Sequence, residues 1–183
     1  VLLDTSLQQE PSETRKRYFA ILDAIEADRA IPAIILQEVV RMFFSPYVSS
    51  WAPELPWRLR ARLAQWETGR LLDSVIPLGR MTFGRRETLT DFSRLPMPKM
   101  VMHGTEDIPR PIKDGQRMSK ALACPFIELP GTGHMAPLEA SHDVTHHLLQ
   151  FLGEVHRANE VGGSVRRSDK ERMSDDGGHF GMG

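Results

Sequence analysis

A single cysteine, Cys124, stands in 183 residues, which excludes an internal disulfide and leaves neither a zinc-ligand spacing nor a redox pair. Such a chain suits a reducing compartment, and a cytoplasmic location is the expectation. Charge of one sign is not in excess either. Lys and Arg number 23 against 24 Asp and Glu, a formal net charge of −1, so no long-range field draws the chain to nucleic acid or to an anionic membrane. A small-molecule substrate, neutral or weakly charged, is the expected partner. No apolar run reaches the roughly 20 residues that span a bilayer, and no basic, apolar and cleavage-site series marks an export signal at the amino end. No internal repeat is evident. An initiator methionine is missing too: Val1, Leu2 and Leu3 read as the inside of a strand already under way, so the expectation is a chain that begins within a larger fold.

What is present, at 40% apolar residues, is enough for an ordinary core. The opening VLLDTS reads as a buried parallel strand whose carboxyl end emerges at Asp4 and Thr5. From Ser12, a candidate cap, to about Ala30, the residues Tyr18, Ile21, Leu22 and Ile25 line one helical face. Pro32 starts a second helix that Pro46 stops, and a third begins near Pro56, weakens at Gly69 and resumes over Leu71 to Ile76. Residues 11–90 thus form a helical block between two strands, read as a cap, with Trp51, Trp57 and Trp66 expected to pack between its helices or to wall a substrate. KMVMHG is the second strand, Pro111 opens a helix, and the run from Phe126 to Leu129 is the third strand, parallel to the second through a right-handed crossover. The last helix is expected over roughly Ser141 to Val155, striped by Val144, Leu148, Phe151, Leu152 and Val155, and residues 157–183, poor in large apolar groups, are expected to be disordered. The domain organisation is therefore 1–10 core strand, 11–90 helical cap, 91–156 remainder of the core and 157–183 tail.

The chemistry concentrates after the second and third strands. Pro130, Gly131, Thr132 and Gly133 make a turn that only small residues form easily, and it presents His134 at a strand end, where open parallel sheets place their sites. Asp107 lies in the loop TEDIPRP leaving the neighbouring strand. A carboxylate against an imidazole fixes its tautomer and stabilises the imidazolium, the orienting role in a nucleophile, base and acid triad. Asp4 is a competing acid. Glu106 is read as a surface carboxylate and His103 as a packed, hydrogen-bonded strand-end histidine. His142 and His146, four apart on a helix, lack the glutamate and third ligand of a zinc motif and read as a solvated face. The pattern PGTGHMAP has too few glycines to cradle a phosphate, so no dinucleotide and no other cofactor or metal is expected.

The segments LPMPKMVMHGTEDIPRP and FIELPGTGHMAPLEASHDVTHHLLQFL resemble the carboxyl-terminal third of the α/β-hydrolase fold family. The resemblance covers most of positions 1–153 and is weak in the cap. It implies an α/β class with an incomplete α/β-hydrolase fold: the last three parallel strands, flanking helices and an inserted helical cap. It also implies Asp107 as catalytic acid, in a Gly-x-x-Asp-x-x-x-Pro context completed by Gly104 and Pro111, and His134 as base. Some members take their acid from the position of Asp4.

The family's nucleophile elbow, Gly-x-Ser-x-Gly, occurs nowhere in the 183 residues, and the oxyanion hole goes with it. The leading expectation is the later portion of a cofactor-independent hydrolase acting on a carboxylic ester, lactone or related acyl compound, inactive alone. An aspartate nucleophile would make it a dehalogenase or epoxide hydrolase. A reading of another class is a non-catalytic remnant whose apolar cap binds a ligand. Under the first two, the opening strand is an uncovered sheet edge and the isolated chain is expected to aggregate or to be molten.

Overall fold

The structure is a computed structural model and describes residues 1–175. Three short strands, β1 (Leu2–Leu3), β2 (Val101–Gly104) and β3 (Phe126–Leu129), lie in that order in one parallel sheet, with Leu3 opposite Met102 and Gly104 opposite Leu129. All four residues of β2 are buried, as a central strand without alternation requires. The three carboxyl ends therefore share one sheet edge, and the loops that carry Asp4, Asp107 and His134 leave from it.

Between β1 and β2 stand α1 (Ser12–Asp28), α2 (Ala33–Phe43), α3 (Val48–Trp51), α4 (Glu54–Ala64), α5 (Thr68–Arg70), α6 (Ile76–Phe83) and α7 (Leu89–Ser93); a wide, π-helical turn, Leu71–Val75, joins α5 to α6. Prolines set the starts. Pro11 and Pro32 hold the extended conformation immediately before α1 and α2, and Arg15 N–H and Leu36 N–H donate to their carbonyls. Ser12 is consequently the first residue of α1 rather than its cap. The segment after Gln65 resumes earlier than its glycine implied, at Thr68. Leu71, fully buried, packs with Ile25 and Ile76 to form the core of this helical region. A second cluster, Phe44, Val48 and Ala52, packs against Met135 next to His134, so the helical region and the histidine loop share apolar contact.

Beneath the sheet, α8 (Ile112–Leu122) sets Met118 and Leu122 against Val101 and Leu7. The short α9 (Ala136–Glu139) follows the histidine loop. Trp51 and Trp57 are exposed, at 52% and 69%, so of the three tryptophans Trp66 packs in the helical core. The exposed pair corrects the expectation of packing between the helices: in α3 and α4 the buried residues are Val48 and Leu63 instead.

Val1–Val144 form one compact unit, and a second begins at Thr145. The last helix, α10, spans Ser141–Asp175, well past the expected stop at Val155. A shortage of large apolar residues removes a core but not helix propensity, which Arg, Lys, Glu and Met supply, and His156 and Glu160 form an i,i+4 pair at 3.4 Å. Leu152, expected in the apolar stripe, is 58% exposed. The remainder of the expected tail, 176–183, lies outside the described residues. Among the described residues no helix is long and apolar enough to cross a membrane.

Candidate active site

Thr105 N–H donates to Leu129 O at 3.1 Å, Glu106 N–H to Thr132 O at 2.9 Å, and Gly131 N–H to Thr105 Oγ1 at 2.9 Å, so the loops after β2 and β3 are stitched together. Gly131, at φ 67°, takes the left-handed conformation that turns the chain toward His134. Approach is close at Gly104, where an added Cβ would stand 2.3 Å from Thr132 O and 2.6 Å from Gly133 O.

That stitching brings His134 Nδ1 to 2.9 Å from Asp107 Oδ2. The carboxylate accepts only, so Nδ1 carries the proton and Nε2 is left with its lone pair. The Asp107 side chain is fully buried while the His134 side chain keeps 24% exposure. Arg110 N–H donates to Asp107 Oδ1 at 2.8 Å, which fixes the carboxylate plane. Phe43 packs beside His134, ring centroids 5.2 Å apart.

His103 is buried behind this pair, with Nε2 donating to Arg110 O at 2.6 Å and standing 3.5 Å from Asp107 Oδ2. Its Nδ1 has no partner and faces the Cα of Gly115, where a Cβ would come within 2.6 Å. Glu106 is half-buried instead of lying on the surface. His142 and His146 are exposed.

Asp4, at φ 45°, is buried, and its carboxylate accepts from Gly104 N–H at 2.9 Å and Ala136 N–H at 3.3 Å. It ties the end of β1 to both loops, where Asp107 alone makes the contact with the imidazole. Burial pushes the Asp4 carboxyl from 3.8 up to about 6, with Asp107 adding to the rise and the Gly104 N–H opposing it. A proton held more tightly in the folded chain means stability is fully present below the unfolded value and falls as pH rises through about 6, by about 3 kcal/mol in all. Asp4→Asn removes the titration and one backbone acceptor. In urea unfolding it is therefore expected to be less stable than the parent near pH 4 and to recover relative to it by pH 7.5; parallel pH curves for the two would contradict this.

Asp4, His103 and Asp107 present ligand atoms within 4.8 Å of one another, the one such group among the described residues. The carboxylate oxygens of Asp4 and Asp107 and His103 Nε2 each have a hydrogen-bond partner in the contacts above, whereas His103 Nδ1 has none.

A further carboxylate, not singled out in the sequence, supports the histidine loop. Glu139 accepts from Gly133 N–H at 3.1 Å and from Ser45 N–H at 2.9 Å, reaching from α9 to the turn between α2 and α3. Burial raises its pKa against these backbone donors.

Two cavities share wall residues, and His134 lines one of them. One of about 250 Å³ includes Asp4, Tyr18 and His134 in its wall; the other, about 370 Å³, lies in the helical region and is lined almost wholly by apolar side chains, among them Ile25, Leu63 and Trp66. Tyr18, Met42, Phe43 and Phe83 line both.

A three-stranded parallel sheet with acid and histidine loops at its carboxyl edge and a helical insertion after the first strand is part of the α/β-hydrolase fold. Solved structures of that fold superpose on most of the chain. An esterase from Thermogutta terrifontis, 20% identical, matches with a TM-score of 0.74 over 85% of this chain and 55% of its own. An α/β hydrolase from a Medee basin deep-sea metagenome is 16% identical, with a TM-score of 0.68 over 82% and 54%. The enol-lactonase of Burkholderia xenovorans is 14% identical, with a TM-score of 0.67 over 82% and 54%. The chain thus spans about half the length of the solved structures it matches. No family model and no curated protein matches it by sequence.

Proposed function

We propose that the chain is the cap, acid and base portion of a cofactor-independent hydrolase that cleaves a carboxylic ester, lactone or related acyl bond. The observation that carries this reading is the 2.9 Å contact between His134 Nδ1 and a fully buried Asp107 at the carboxyl edge of a parallel sheet. The nucleophile comes from residues outside the 183, since no Gly-x-Ser-x-Gly occurs among them.

In the step so assigned, His134 Nε2 takes the proton of the nucleophile hydroxyl as it attacks the acyl carbon, then returns it to the leaving oxygen. Water repeats the sequence to release the acid. Asp107 holds the Nδ1–H tautomer and stabilises the imidazolium without taking the proton itself. Residues 11–90 act as the cap, and their apolar cavity receives the hydrocarbon part of the substrate and excludes water. The test is hydrolysis of 4-nitrophenyl butyrate and of a γ-lactone by the protein joined to its nucleophile, in parent and His134→Gln forms. Loss of most turnover in the variant with unchanged unfolding is expected; parental rates would refute the reading.

A further inference from the structure

The 250 Å³ cavity beside His134 carries chemistry that proton transfer does not use. Arg85 and Arg110 line it, and behind them Glu10 is buried at 1% exposure. Arg110 donates to both Glu10 oxygens, through Nη1 to Oε2 at 2.9 Å and through Nη2 to Oε1. Arg85 Nη1 donates to Oε1 of the same carboxylate at 3.0 Å and to Thr82 O at 2.7 Å. One carboxylate thus serves two guanidinium groups. Arg85 is the less committed: its side chain keeps 21% exposure against 11% for Arg110, and its Nε is buried without a partner. The other acid in the wall, Asp4, is turned to the backbone donors of Gly104 and Ala136.

Arg85 Nε is enclosed, so an anion in the cavity would meet the exposed part of the guanidinium, whose charge the one shared carboxylate only partly offsets. Tyr18, Met42, Phe43 and Phe83 line this cavity as well as the apolar one, so a ligand held at Arg85 has apolar side chains beside it.

We propose that Arg85, braced by Glu10, is an anion-binding residue that holds the carboxylate of an acyl compound whose hydrocarbon part lies along the wall shared by the two cavities. This deepens the hydrolase reading by naming its substrate class, a carboxylate-bearing ester or lactone, and rests on that reading only for the step from ligand to substrate.

The experiment titrates the protein joined to its nucleophile at pH 7.5 with hexanoate and with its neutral counterpart hexanamide, by calorimetry and by the Arg85 Nε–H resonance. Hexanoate is expected to bind at least tenfold more tightly than hexanamide and to shift that resonance. Arg85→Gln is expected to erase the discrimination, Arg85→Lys to keep part of it, and His134→Gln to keep it, with circular dichroism checking that each variant folds. Should Arg85→Gln not fold, the parent's affinity ratio and the Nε–H shift decide. Equal affinities, hexanoate binding that leaves the Nε–H signal unmoved, or discrimination that survives in folded Arg85→Gln would each overturn the proposal. None of these readouts needs turnover, so the hydrolase reading and the anion site can fail separately.

Discussion

In the protein complete with its nucleophile, Asp107→Asn is expected to lower kcat for ester hydrolysis about 10⁴-fold while leaving the fold in place. The size follows from tautomer control. An asparagine in the same pose keeps its carbonyl oxygen on Arg110 N–H, the contact Asp107 Oδ1 makes at 2.8 Å, and so turns its NH2 toward His134. Nδ1 must then accept, Nε2 carries the proton, and the nitrogen facing the nucleophile can no longer act as a base. Steady-state kinetics with 4-nitrophenyl butyrate checks this. A drop of less than about tenfold would show that Asp4, or no carboxylate, orients the imidazole.

Gly104→Ala is expected to destabilise the chain by about 4 kcal/mol or more, a large part of the ~5–15 kcal/mol that holds a typical domain together. The new methyl would meet Thr132 O at 2.3 Å and Gly133 O at 2.6 Å, both backbone atoms of the loop that presents His134. Neither can yield without separating β2 from β3 or pulling Gly104 N–H from Asp4. Gly69→Ala is the control, since its Cβ would come no closer than 3.9 Å to Asp73 and the helix gains about 0.5–1 kcal/mol in propensity. Urea unfolding of both variants distinguishes a specific close approach from a general intolerance of added bulk. Similar midpoints for the two would contradict the packing described.

The fold was legible from sequence where one physical signal dominates. Apolar runs ended by glycine or by small polar residues marked the three strands, and their parallel order follows from the helices between them. Asp107 and His134 were legible because each sits just past such a run, and the structure brings the two together. Contacts made across long stretches of chain were not legible. Glu139 reads as one charged residue of a short turn, and nothing local says that it accepts from Ser45, 94 positions earlier. Glu10, Arg85 and Arg110 are similarly ordinary in sequence, and only folding places them around one buried carboxylate. The tryptophans erred in the other direction: a large apolar side chain is expected inside, yet Trp51 and Trp57 are exposed. For the tail, composition speaks against a core, and α10 spans Ser141–Asp175.

In the proposed mechanism His134 serves a nucleophile, and these 183 residues hold no Gly-x-Ser-x-Gly elbow to supply it. The most direct measurement is the coding sequence upstream of Val1, read for the residue at the strand-to-helix elbow. The expected result is Gly-x-Ser-x-Gly, with aspartate at the central position if the protein is instead a dehalogenase or epoxide hydrolase. An upstream sequence with no Ser, Asp or Cys at such an elbow would contradict the assignment of His134 and Asp107 as a base and its orienting acid.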